Sequence, residues 1–88
     1  MAQIHLTIVT PQGKAFDGEA RYIVARTRGG DVCIMAKHID FAASLGEGET
    51  RVVLPDGAVR RAQASGGVLH AANDNVEVIT NSFTWKDE

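Results

Sequence analysis

From Ile4 to Val9, apolar Ile4, Leu6 and Ile8 alternate with His5, Thr7 and Val9, which predicts a half-buried strand of period two. Pro11-Gln12-Gly13-Lys14 closes it, the proline fixing φ and the glycine accepting angles closed to other residues. Ala15-Phe16 reads as a brief strand ended by a turn at Asp17-Gly18, and Arg21–Arg26 as a strand with a β-branched and aromatic centre. Thr27-Arg28-Gly29-Gly30-Asp31 is the next turn, leading into the apolar run Val32-Cys33-Ile34-Met35. Ala36 through Leu45 fits neither period, and Gly46 and Gly48 are expected to end it. Arg51–Leu54 and Ala58–Ala62 flank Pro55-Asp56-Gly57, the strongest hairpin signal in the chain. After an interruption at Ser65-Gly66-Gly67, Val68–Ala71 and Val76–Thr80 form a second hairpin around Ala72-Asn73-Asp74-Asn75.

No window sustains three turns of helical periodicity. Eight to ten short strands separated by Gly, Asp, Asn and Pro turns predict an all-β chain, an antiparallel β-sandwich or barrel. At 88 residues it is one domain, expected over residues 1–83 with a short tail at 84–88. So small a domain buries about 60–65% of its unfolded surface, so modest stability and support from a partner surface are expected.

Composition narrows the function. The formal charge is −2, and lysine and arginine gather on no segment, so no nucleic-acid or anionic-lipid footprint is present. No apolar run approaches the roughly 20 residues that span a bilayer, and the amino end does not read as a signal peptide. The chain is expected to be soluble and to meet a membrane only through a partner. Cys33, the single cysteine, allows no internal disulfide and fits a reducing compartment.

Candidate chemistry is sparse. His5, His38 and His70 are scattered, without a second ligand at metal spacing on one element, so neither a metal nor a cofactor is expected. His5 and His70 fall on the polar side of their strands. Cys33, inside an apolar run, reads as a small hydrophobe rather than a nucleophile. Ser65-Gly66-Gly67 precedes a strand and lacks a following lysine, which excludes a phosphate cradle; its glycines suit a bulge or a close backbone approach, from within the domain or from a partner. Asp17, Glu19, Asp31, Asp40, Glu47, Glu49, Asp56 and Asp74 lie in turns as solvating charges. With no credible active site, the reading is a non-catalytic binding or structural domain. The alternatives are a stand-alone binding sandwich, which needs an aromatic platform from the dispersed Tyr22, Phe41, Phe83 and Trp85, and a small hydrolase using His38 with Asp40 or Cys33.

Three motifs in order resemble one family. Ile4–Lys14 followed by Phe16-Asp17-Gly18-Glu19-Ala20 is similar to the opening of ATP synthase epsilon subunits, a strand, V-[ST]-P-[ED]-G, an aromatic and [SD]-G-E. Gly30–Phe41 lies in register with the family's G-D-[IL]-G-[IV]-L-x-G-H-x-P-[LF] loop, and Ser65–Leu69 with Asn75–Ile79 resembles its S-G-G-F-x-E-V…N-x-V-T-I-L segment. Cys33, Ala36, Lys37 and Asp40 replace the loop's usual Gly, Pro, Gly and Pro, and His70 replaces a usual Glu. The two helices that usually follow the sandwich are not in this sequence.

The resemblance implies a rotor subunit of the central stalk, bound to the gamma subunit and the c-ring, with the beta subunit as a further neighbour. It implies a peripheral position on the cytoplasmic face of the inner membrane and none of the regulation that the missing helices confer. On the family pattern the ring-facing loop maps onto Gly30, Asp31 and His38, and Ser65, Gly66, Gly67 and Met35 are the expected gamma-facing residues.

Overall fold

The computed structural model describes residues 2–37 and 40–86. Among them ten strands and no helix occur: β1 (Ile4–Thr10), β2 (Gly13–Ala20), β3 (Tyr22–Thr27), β4 (Gly30–Met35), β5 (Phe41–Ser44), β6 (Glu47–Val53), β7 (Val59–Ser65), β8 (Val68–Ala72), β9 (Asn75–Ile79) and β10 (Ser82–Trp85). They form two five-stranded sheets, β2-β1-β9-β8-β5 and β10-β7-β6-β3-β4. The expected all-β sandwich is what the chain builds, antiparallel except where β1 runs parallel to β9.

Period two explains the core. Ile4, Leu6 and Ile8 of β1, Leu69 of β8, and Val76 and Val78 of β9 face inward from the first sheet. Ile23 of β3, Ile34 of β4 and Val52 of β6 meet them from the second, within one hydrophobic cluster. Each such fully buried Val, Leu or Ile contributes about 1.5–3 kcal/mol relative to exposure. Residues between them turn to solvent, which leaves both sheets with an uncovered outer face.

The chain crosses between sheets at tight corners. Arg21 alone separates β2 from β3, and its N–H donates to Val53 O at 2.7 Å. At another corner Leu45 bridges Thr27, and the Leu45 N–H donates to Gly67 O at 2.9 Å. The buried Thr27 hydroxyl donates to Gly30 O at 2.6 Å and accepts from the Gly29 N–H at 3.1 Å, satisfying its polarity within the β3–β4 turn. Between β8 and β9, Asn73 and Asp74 both have positive φ, 53° and 62°, as a two-residue hairpin turn requires.

Several sequence expectations are corrected. Asp17-Gly18 is no turn; both residues lie within β2, where Gly18 pairs with Leu6 and Asp17 with Thr7. The irregularity falls earlier, at a bulge that leaves Ala15 extra between Phe16, opposite Ile8, and Lys14, opposite Val9. The stretch read as irregular contains β5, an edge strand paired with β8. Gly48 ends nothing: it lies inside β6, where a Cβ would meet Arg26 Cγ at 2.9 Å. Pairing also continues beyond Phe83, with Trp85 opposite Ala62 and the Lys86 N–H donating to Arg61 O.

Candidate interaction surfaces

The interrupted segment Ser65-Gly66-Gly67 is the crossing from β7 in one sheet to β8 in the other. Both glycines have positive φ, 73° and 106°. A Cβ on Gly67 would lie 1.9 Å from Ile79 O, so the close backbone approach comes from this chain's own β9. Beneath the turn the buried Thr80 hydroxyl lies 2.9 Å from Gly66 O and 3.1 Å from Ser82 O, tying the crossing to the β9–β10 link. Gly66 and Gly67 thus have a complete intramolecular reason to be glycine.

Gly30 and Asp31 open β4, with Gly30 at φ 120°. Asp31 is exposed and accepts a hydrogen bond from Arg26 Nε, which holds its carboxyl below the usual range. Met35 closes the same strand and is half exposed. His38 lies outside the described residues. Of the hydrolase alternative, Cys33 and Asp40 are both exposed, Cys33 on the outward face of β4 rather than within the core its apolar run suggested. Partial burial pushes its thiol up, which opposes nucleophilic use at neutral pH.

Among the described residues no group of His, Cys, Asp and Glu is placed to hold a metal ion. No described helix is long and apolar enough to cross a membrane. The aromatic residues form no exposed platform. Phe83 and Trp85 meet edge to face at 4.8 Å, Phe16 reaches Trp85 from the other sheet at 6.4 Å, and all three pack against the core.

The two outer faces differ in charge. On the first sheet His5 sits between two carboxylates, Nδ1 at 3.2 Å from Glu19 and Nε2 at 3.0 Å from Asp17, and Lys14 adds an ion pair to Asp17 at 3.1 Å. Hydrogen bonds that the protonated ring donates to Glu19 and then Asp17 raise the His5 pKa above its ordinary 6.5. Further along, His70 stands opposite Glu77, and an apolar row runs from Val68 to Ile79 and on to Val9.

On the second sheet one register row contains Met35, Tyr22, Val53 and Val59, on β4, β3, β6 and β7 in turn. The next row carries Cys33, Val24, Arg51 and Arg61. Tyr22, Val24, Arg51, Val53, Val59 and Arg61 line one open hollow of about 200 Å³. One carboxylate, Glu49, serves three cations: Lys86 at 3.2 Å, and Arg51 and Arg61 at 3.9 Å each. Sequence reading missed this face because its members come from four strands and are adjacent only after pairing. The outward positions of Arg51–Leu54 and Ala58–Ala62 were the available signal.

Two closed-cornered five-stranded sheets with open outer faces define a small β-sandwich domain, and TM-scores agree. A chain in the structure of the Euglena gracilis mitochondrial ATP synthase OSCP/F1/c-ring in rotational state 1 superposes at TM-score 0.93 and 24% identity, covering 100% of this chain and 56% of that one. A chain of the Tetrahymena thermophila mitochondrial ATP synthase central stalk and c-ring superposes at 0.74 and 17% identity, covering 91% and 64%. Residues 3–86 match the family described as ATP synthase, Delta/Epsilon chain, beta-sandwich domain, and the chain belongs to that family. ATP synthase epsilon chains of Ruminococcus albus and Clostridium acetobutylicum are 34% and 33% identical to it, over 100% and 97% of its length. It spans 66% and 64% of those two relatives.

Proposed function

We propose that the chain is a non-catalytic rotor subunit of a rotary ATP synthase, held in the central stalk between the gamma subunit and the c-ring. The observation that carries this reading is the family match over residues 3–86, which takes in all ten strands rather than one motif. A rotor component has to transmit torque without slipping. That calls for rigid sheets, apolar anchors at the contact and a polar rim that fixes register. A closed core with uncovered outer faces suits the task.

In this reading ion flow through the ring turns the chain with gamma, and ATP chemistry takes place on other subunits. The β3–β4 turn with Gly30 and Asp31, together with His38, faces the ring. Met35 and the Ser65-Gly66-Gly67 crossing lie toward gamma. The chain then sits peripherally at the cytoplasmic face of the inner membrane, attached through the complex, with the beta subunit as a further neighbour.

Co-expression with the gamma subunit tests it directly. A stoichiometric complex should elute at micromolar concentration, and adding the c-ring should recruit both. A chain that shows cooperative unfolding, and is therefore folded, yet elutes apart from gamma would overturn the reading.

A further inference from the structure

We infer that His5 is the catch of a pH-sensitive latch. As imidazolium it holds the edge strand β2 to β1, and on losing its proton it lets the Asp17–Glu19 stretch of β2 open locally while the rest of the sandwich stays folded. The position of the cluster carries this inference. β2 ends its sheet, so β1 alone pairs with it, and the bulge at Ala15 already interrupts that pairing. Its side chains are exposed or half-buried except Ala20, which is fully buried. Beyond the backbone ladder, the strand is fastened by Ala20 in the core, by Ala15 and Phe16 against it, and by the two contacts of His5. Of these fastenings only the last depends on a proton.

One ring reaches two carboxylates because Glu19 lies directly opposite His5, and Asp17, two residues earlier, shares its outward face. Only the imidazolium can donate from both nitrogens, Nδ1 to Glu19 at 3.2 Å and Nε2 to Asp17 at 3.0 Å. The neutral ring donates from one and turns the lone pair of the other toward a carboxylate oxygen, so one contact becomes repulsive. Lys14 still holds Asp17, on the side of the bulge. On the other flank β9 places uncharged Asn75 opposite His5, and the Asp74 carbonyl accepts the His5 backbone N–H. Glu77 lies one row on, opposite Thr7, with His70 of β8 beyond it. Glu77 can favour the imidazolium but stands on the wrong side to hold β2. His5, Thr7, His70 and Glu77 line an open hollow of about 260 Å³, through which water reaches the ring. The two β2 contacts raise the His5 pKa, which places release above pH 6.5. Solvent screens so exposed a cluster, so the response is graded rather than all-or-none.

Amide hydrogen exchange on the full chain tests the latch, followed by NMR from about pH 5.5 to about pH 8.5 and divided by the intrinsic base-catalysed rate. The β2 amides bonded to β1 should lose about two- to fivefold of their protection across that range, with the midpoint of the His5 ring titration. Amides of β4, the edge strand of the other sheet, open without disturbing His5 and should keep theirs. His5→Gln should give β2 its low, alkaline protection at every pH. The profile of the unaltered chain carries the test even where that variant fails to fold. β2 amides as strongly protected as those of β9 throughout would show that β2 opens only with the whole domain. A β2 profile that is flat with pH, or that persists in His5→Gln, would remove His5 as the catch. Each of these results would overturn the latch, and none of them bears on the rotor reading.

Discussion

Gly67 lies with its α-carbon against the carbonyl of Ile79, close enough that a methyl group there would overlap the oxygen at 1.9 Å. Its φ of 106° is also one that residues with a Cβ rarely adopt. Gly67→Ala is therefore expected to cost about 3 kcal/mol or more, because neither backbone can move without breaking the β8–β9 pairing. At Gly66 the nearest atom to a new Cβ is the Asn81 side-chain nitrogen, at 2.7 Å, which can swing away. Gly66→Ala should cost about 1–2 kcal/mol, the strain of its positive φ. Urea titrations of the two variants check the order; equal costs would refute the distinction between backbone and side-chain obstruction.

Trp85 joins the two sheets at one edge of the sandwich through Phe16, with the Arg60 guanidinium 3.8 Å from its ring centre. As it is half-buried, Trp85→Ala should cost about 2 kcal/mol, below the range for fully buried aromatic residues. It is the chain's one tryptophan, so its fluorescence reports on that junction. Fluorescence and circular dichroism should trace one coincident unfolding curve. Loss of the fluorescence signal well before the dichroism would show that β10 is not integral to the domain.

Both ring nitrogens of His5 face carboxylates, an arrangement that only the imidazolium satisfies fully. Its folded pKa lies above 6.5, so this contribution to stability is present below pH 6.5 and is lost as pH rises through the folded value. Asp17 is shifted the other way, first by Lys14 and then by His5, so its contribution is present above pH 3.8 and is lost as pH falls through the lowered value. The cluster as a whole is intact between those two limits. An NMR titration of the His5 ring should give a midpoint above 6.5 that returns toward it in Asp17→Asn with Glu19→Gln. An unchanged midpoint in that variant would remove the carboxylates as the cause.

Cys33 is exposed, yet its thiol pKa is pushed above the ordinary 9.0 by partial burial, with Arg51 opposing the shift weakly. Exposure and reactivity therefore part company. Alkylation by iodoacetamide near pH 7.5 should run slower than for a free cysteine and accelerate only above pH 9, as the thiolate forms. A rate matching free cysteine would show that the surrounding β-sheet does not desolvate the sulfur.

Much of the fold was legible because side-chain alternation is local. Ile4, Leu6 and Ile8 announced β1, and Pro55-Asp56-Gly57 announced the β6–β7 turn, where Gly57 has φ 92°. Glycines misled where their reason lay elsewhere in space. Gly18 reads as a turn but continues β2 opposite Leu6, and Gly48 reads as an end but makes room for Arg26. β5 was hidden because Phe41-Ala42-Ala43-Ser44 is short, edge-placed and built of small residues. The candidate interface was less legible still. Tyr22 and Val59 are 37 positions apart in sequence (59 − 22) and become near neighbours only through the register of β3, β6 and β7.

The parallel pairing of β1 with β9 has a consequence for synthesis. The first strand of the domain is completed by its ninth, so a growing chain holds Ile4, Leu6 and Ile8 without their final neighbours until Val76 and Val78 have left the ribosome. Closing so distant a contact is slow and leaves apolar surface open to wrong company meanwhile. Nascent copies of this domain should therefore stay incomplete until β9 has left the ribosome, and mature only afterwards.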